Sequence, residues 1–224
     1  MSLAQGSAGA MASAPALAYP AAMIWLSSPD DIAANLPAVW LVATPERPAT
    51  LPERSALRRG MAARILARQL GLPREAIAIG HDARGRPLVA HPHGSGLHLS
   101  LATRAGLVAV ALAHQPVGVD VEAVNATAAP PLGVLHPGEA AWLIAQPQDE
   151  RPLAFARLWS AKEAYVKALG TGFARAPESF AVSISPEGRL TVLDSVETAA
   201  ANGVSRTIEN GGQEILAAAI VVLG

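Results

Sequence analysis

The chain has no cysteine. That excludes a disulfide framework, a thiolate metal site and a cysteine nucleophile, and it fits a reducing compartment. Lysine is almost missing too: of 17 basic residues in 224, only Lys162 and Lys167 are lysines, and the others are arginines. Charge of either sign is scarce. Charged residues make up 16% of the chain and the formal net charge is −1, so the clustered positive excess that nucleic acid or an anionic membrane demands is not there. Any anion bound here is expected to be small and held locally. Long apolar runs are absent as well: the segment AAMIWL is far too short to span a bilayer. The Ala/Ser/Gly/Pro-rich stretch before it, MSLAQGSAGAMASAPALAYP, lacks the basic start of a secretory signal. Residues 1–20 are expected to be a flexible extension, and the protein to be cytoplasmic, with no nucleic-acid or membrane partner.

What is present is a core. At 51% hydrophobic over 224 residues, the chain can bury one domain or two small halves. AMIWLS (22–27) and AVWLVAT (38–44) read as strands. Leu57, Met61, Ile65, Leu66 and Leu70 recur at helical spacing across 53–70, until Gly71 stops the helix. AIAIG and the turn DARGRP begin a β segment. LHLSLA (97–102), LVAVALA (107–113) and VGVDVEAV (117–124) follow as closely spaced strands, the last two joined by the turn 114–116. The second half repeats the theme with a helix opened by Pro137, a longer helix over about 150–169 ended by Gly170, and the strands FAVSI, RLTVL, VSRTI and EILAAAIVV. The expectation is an α+β protein of two similar lobes, 21–116 and 117–224, each with a helix and a small antiparallel sheet.

In VGVDVEAV the period of two puts Val117, Val119 and Val121 on one face and Gly118, Asp120 and Glu122 on the other. Two carboxylates thus share a strand face, and if half-buried they need a cation beside them. A lone D-x-E is more often a solvated strand face, so a third group has to decide. In the long helix Glu163 lies on a stripe with Trp159 and Val166, with Lys167 beside it. Glu163 and Lys167 at i, i+4 are also compatible with an ordinary surface pair of about 0.3–0.5 kcal/mol. If the three carboxylates converge, they suit a hard, oxygen-loving ion such as Mg²⁺, which completes its shell with water and phosphate oxygens. A compact ammonium then fits beside such a metal where the broad, planar arginine fork would not.

GVDVE (118–122) followed by WSAKEAYVKALGTG (159–172) resembles the paired signature of the 4′-phosphopantetheinyl transferase superfamily, in its larger, monomeric, surfactin-synthetase-activating type. The resemblance extends more weakly over 22–224, through ERSALRRGMAARILARQLG (53–71), GRP (85–87), HLS (98–100) and HPGEAAWL (136–143). It implies two pseudo-symmetric α+β lobes with a ligand cleft between them. The implied activity is Mg²⁺-dependent transfer of 4′-phosphopantetheine from coenzyme A, the co-substrate, to a serine of an apo acyl or peptidyl carrier protein, by a monomer, releasing adenosine 3′,5′-bisphosphate. Carried over by position, Asp120, Glu122 and Glu163 are metal ligands. Lys167 contacts the pyrophosphate and Lys162 flanks it, with Glu163 or a metal-bound water as the base. Arg54 or Arg58, with Arg86 and Ser100, hold the 3′-phosphate and adenosine end. One departure stands out: where the family pattern has a phosphate-binding histidine, this chain has Leu101, and Arg104 is the nearest cation in sequence to replace it. Two alternatives stay open: a non-catalytic binder of coenzyme A or a carrier protein with the same fold, and an unrelated Mg²⁺-dependent phosphohydrolase.

Overall fold

The computed structural model describes residues 23–211 and 214–224, so the expected extension at 1–20 lies outside the described residues. The described residues form an α+β fold of two sheets and three α-helices. In the first sheet the strands β1 (Ile24–Leu26), β2 (Ala38–Ala43), β3 (Ala78–His81), β4 (Pro87–His91), β5 (His98–Arg104) and β6 (Leu107–Ala113) are ordered β1-β2-β6-β5-β4-β3. In the second, β7 (Val117–Ala123), β8 (Ala181–Ile184), β9 (Arg189–Leu193), β10 (Ala201–Asn210) and β11 (Glu214–Leu223) are ordered β7-β11-β10-β9-β8. The helices are α1 (Leu51–Leu70), α2 (Pro137–Ile144) and α3 (Arg151–Leu169). None is long and apolar enough to cross a membrane.

Helix boundaries follow local chemistry. Thr50 and Glu53 form a reciprocal capping box at the start of α1, worth about 1 kcal/mol. Gly71 ends that helix at φ 65° and Gly170 ends α3 at φ 70°, left-handed positions that glycine takes without a Cβ penalty.

One expectation needs correction. The first sheet is not wholly antiparallel, because β1 pairs with β2 in parallel. The other edge of β2 is taken by β6, and the connection 27–37 carries the chain back to run beside β1 in the same direction. The turn 114–116 joins β6 to β7 without pairing them. Both edges of β6 are already used, by β2 and β5, so β7 leaves the sheet and pairs with β11.

Strand parity then sets the layers. Val108, Val110 and Leu112 of β6 pack with Trp40 against Ala62, Ile65 and Leu66 of α1. The other face of β6, Ala109 and Ala111, meets Val117, Val119 and Val121 of β7 and Ile220 of β11. Small alanines there let the two sheets approach closely. The far side of the second sheet is covered by α3, where Leu158, Ala161, Ala164 and Tyr165 pack on Val182, Ala219 and Val221. The even positions of β7 therefore face α3, as the period of two requires.

Candidate functional site

Gly118 decides how close β7 and α3 come. A Cβ built there would lie 1.8 Å from the carbonyl oxygen of Ala164 and 2.5 Å from the amide nitrogen of Ala168, so only glycine lets the strand rest on the helix backbone. Two and four residues further along the same face, Asp120 and Glu122 are carried to the flank of α3 that bears Glu163 and Lys167.

The Lys167 ammonium donates to Asp120 Oδ1 at 2.6 Å and to the Val119 carbonyl at 3.1 Å. Asp120 is buried, and its Oδ2 has no partner. Burial pushes the Glu122 carboxyl up to about 7, and the neighbouring Asp120 charge adds to that; Arg104 and Lys167 oppose it, and Glu163 pushes it further up. Burial and then Asp120 push Glu163 up as well, against Lys167. The three acids of the two signatures thus lie within one another's electrostatic reach.

Their all-oxygen chemistry, their desolvation and the orphaned Asp120 Oδ2 fit a hard divalent cation. Among the described residues, however, no three Asp, Glu or His side chains are gathered as a ready-made metal cluster. The first Asp120 oxygen is held by an ammonium instead.

Lys167 also lines a cavity of about 250 Å³ whose wall comes from both halves of the chain. Arg58 and Arg59 enter from α1, His81, Arg84 and Arg86 from the β3–β4 hairpin, Ser100 and Leu101 from β5, and Gly170 from the end of α3. No carboxylate is among its lining residues. The hairpin is shaped by Asp82, whose Oδ1 accepts from the backbone N–H groups of Arg84 and Arg86 at 2.8 and 2.9 Å, turning both side chains to this wall. Arg86 Nη2 is buried without a partner, and burial also pulls the Arg58 and Arg86 guanidiniums down from the usual arginine range. Desolvated cations with an unfilled donor, in a wall free of acid, make an anion site. Gly170 has a second use: a Cβ there would come within 3.1 Å of Arg86 Nη1.

Several expected residues are thus assembled: Asp120, Glu122, Glu163 and Lys167 around one seam, and Arg58, Arg86, Ser100 and Lys167 around the adjoining cavity. Ser100 is more sealed than expected, its Oγ accepting from the Val119 amide at 3.0 Å. Arg54 stays behind Arg58, outside the cavity lining. Leu101 does face the cavity, and Arg104 is not among its lining residues. Four residues along an extended strand carry Arg104 about 13 Å beyond Ser100. There it pairs with Glu122 at 3.4 Å and borders a separate cavity with Phe155 and Trp159.

Lys162 also stands apart from the cavity. It is 1% exposed and bonded to Glu139, away from the arginine wall, because its position on α3 turns it toward α2 and β8. The residues that sequence reading missed are Arg59, Arg84 and His81. Their signals were the Arg58-Arg59 doublet and the alternation of arginines in the turn Asp82–Pro87.

Residues 116–219, just under half of the chain, match the model of the 4′-phosphopantetheinyl transferase superfamily. The chain is 28% identical over 134 residues to 4′-phosphopantetheinyl transferase psf-1 of Bacillus pumilus, covering 57% of this chain and 54% of that protein. It is 28% identical over 120 residues to the transferase gsp of Aneurinibacillus migulanus, covering 53% and 49%. To the transferase Sfp of Bacillus subtilis strain 168 it is 25% identical over 134 residues, covering 57% of each. The chain spans about half the length of these curated relatives. The family match bears out the resemblance carried by the two signatures, and it contains every acid of the site together with both lysines.

Proposed function

We propose, with that superfamily likeness as premise, that the protein transfers the 4′-phosphopantetheine group of coenzyme A to a serine hydroxyl of an apo acyl or peptidyl carrier protein. One observation carries the reading: Lys167 stands where a cationic, acid-free cavity meets a cluster of desolvated carboxylates. An anionic nucleotide end fits the first, and a metal-assisted reacting pyrophosphate fits the second. In this reading the two halves are pseudo-symmetric lobes, and coenzyme A occupies the cleft between them.

Arg58, Arg59, Arg84 and Arg86 bind and orient the phosphates at the adenosine end, and Ser100 supplies a hydroxyl beside them. Asp120, with Glu122 and Glu163, would hold Mg²⁺, which supplies Lewis-acid polarisation of the pyrophosphate. The carrier serine oxygen bonds to the phosphorus that bears the pantetheine arm. The bond from that phosphorus to the bridging oxygen breaks, and adenosine 3′,5′-bisphosphate leaves. Glu163 takes the serine proton, burial having raised its affinity for protons above that of a free carboxylate. Lys167 turns from Asp120 to the charge growing on the leaving oxygen. The chain acts in the cytoplasm as a monomer.

The test is to incubate the protein with coenzyme A, Mg²⁺ and a panel of apo carrier proteins and to weigh the carriers. A gain of one phosphopantetheine, abolished by chelation, is expected. Release of the bisphosphate without carrier modification would mean a hydrolase. Binding of coenzyme A without either product would mean a non-catalytic binder, the reading that Leu101 in the cavity wall favours.

A further inference from the structure

We infer that Lys162 is a positioning residue: it touches no substrate and fixes the setting of α3 from which the adjacent Glu163 and Lys167 act. The two resemblance-implied lysines thereby divide into one that is structural and one that faces ligand.

The ammonium of Lys162 donates to both Glu139 oxygens and to the Phe180 carbonyl, each at 2.7 Å. Its three protons are all used, and none is left for a phosphate. The charge also sits 4.2 Å from the centre of the Phe180 ring. Glu139 is equally committed, accepting from the Val182 amide at 2.7 Å and from the His136 amide at 2.8 Å. The two side chains are 1% and 3% exposed. One carboxylate therefore joins the start of α2, the start of β8 and the middle of α3.

This arrangement matters because it adds a charged lock to the packing of α3. The buried face alternates the small Ala156, Ala161, Ala164 and Ala168 with Leu158 and Tyr165, whose hydroxyl donates to Asp194 at 3.1 Å, and the Lys162–Glu139 pair is the fully sealed polar anchor beside them. A slip of one residue moves a helix by 1.5 Å and turns it by 100°. The Lys162–Glu139 pair forbids that slip, since an ammonium displaced from its acceptors is left charged and dry. On the flank facing β7, Gly118 seats the strand against the Ala164 and Ala168 backbone. Between these two locks the side chains of Glu163 and Lys167 are aimed at Asp120.

The inference uses the transferase reading only for its rate measurement. Lys162→Met and Lys162→Arg are compared with wild type for kcat, for KM of coenzyme A, and by calorimetry for affinity toward Mn²⁺ and toward adenosine 3′,5′-bisphosphate, all per folded molecule. Lys162→Met is expected to lower kcat by about ten- to a hundredfold and to weaken Mn²⁺ binding, with KM and bisphosphate affinity within about twofold. Lys162→Arg is expected to rescue neither, because a five-donor fork does not fit a pocket shaped for one ammonium. A raised KM with kcat retained, or recovery by arginine, overturns the inference in favour of a substrate contact. Normal kcat and Mn²⁺ affinity in the folded fraction overturn it in favour of a purely structural pair. Should Lys162→Met not fold, Glu139→Gln keeps an acceptor oxygen for the β8 amide and is read by the same criteria. A wild-type chain that transfers nothing refutes the functional reading, while the two affinities still decide this one.

Discussion

Helix α3 carries two lysine–carboxylate pairs five residues apart, and they are built in opposite ways. Lys162–Glu139 is sealed, and each of its donors and acceptors has a partner. Lys167–Asp120 is partly open: Lys167 is 32% exposed and lines a cavity, while the second oxygen of Asp120 is buried and unpaired. A saturated buried pair can only hold elements together, because any new contact would first have to break one it already has. An unsaturated pair at a cavity edge is poised to exchange partners. Lysine suits both places for one reason, its compact charge, but only the second place has chemistry left to do.

The sharpest way to break the comparison is to remove charge at the open pair. Asp120→Asn and Glu163→Gln are each expected to lower kcat for transfer by about 10²–10⁴. Glu163→Gln should not lower the melting temperature, whereas Asp120→Asn also weakens the ion pair with Lys167 and should lower it only slightly. Both substitutions relieve repulsion among desolvated carboxylates, and Glu163→Gln also removes a carboxyl that burial disfavours in its charged form. Loss of activity together with loss of folding would place these acids with Glu139, in the structural class.

A smaller effect is expected from the cation. Lys167→Ala should cost about tenfold to a hundredfold in kcat/KM, the worth of a charge-assisted contact to phosphate, and Lys167→Arg should recover only part of it. Full recovery by arginine would mean that compact charge is not what the site requires.

Much of this contrast was legible in the sequence, and the limit has a physical reason. The valine alternation in VGVDVEAV and the helical stripe through Glu163 showed which side chains share a face, since period alone fixes that. Gly170 and Gly71 marked the helix ends because only a left-handed residue closes them that way. Partners distant in sequence were not legible. The commitment of Lys162 to Glu139 depends on α2 and β8 meeting α3, and no local period encodes such a meeting. Nor was the parallel pairing of β1 with β2 legible, since a strand's period is the same in either direction. The arginine wall was visible only in part, for the hairpin that delivers Arg84 is folded by Asp82 and its place over the cavity is tertiary.

The acids should also make themselves felt in stability. A carboxyl whose affinity for protons rises on folding, as that of Glu122 does to about 7, holds a proton in the native state that the unfolded chain has lost. Unfolding free energy should therefore fall as pH climbs from about 4.5 to about 7 and level off above. Glu163 is shifted in the same direction, so Glu122→Gln should flatten this decline only in part, by about 1 kcal/mol once partial exposure to solvent is discounted. Chemical denaturation across that range measures it. A decline untouched by Glu122→Gln would show that the carboxyl is better solvated than its burial indicates.

The smallest effect is expected at Arg104, the residue that sequence position alone nominated to bind the 3′-phosphate in place of a histidine. It is half exposed, pairs with Glu122 at 3.4 Å, and stands about 13 Å along β5 from Ser100, beyond the arginine cavity. An exposed pair of this kind contributes about 0–1 kcal/mol. Arg104→Ala should accordingly change KM for coenzyme A and for 3′-dephospho-coenzyme A by the same small factor, within about twofold. Its one specific trace should be on Glu122, whose affinity for protons Arg104 holds down, so the pH at which stability levels off should move upward. Arg58→Ala and Arg84→Ala, from the cavity wall, are the controls. They should weaken coenzyme A binding about tenfold or more, and the 3′-dephospho analogue less, if the wall holds that phosphate. A selective loss at Arg104 instead would mean that the nucleotide end lies beyond the far end of β5, and the arginine cavity would then need another anion to explain its charge.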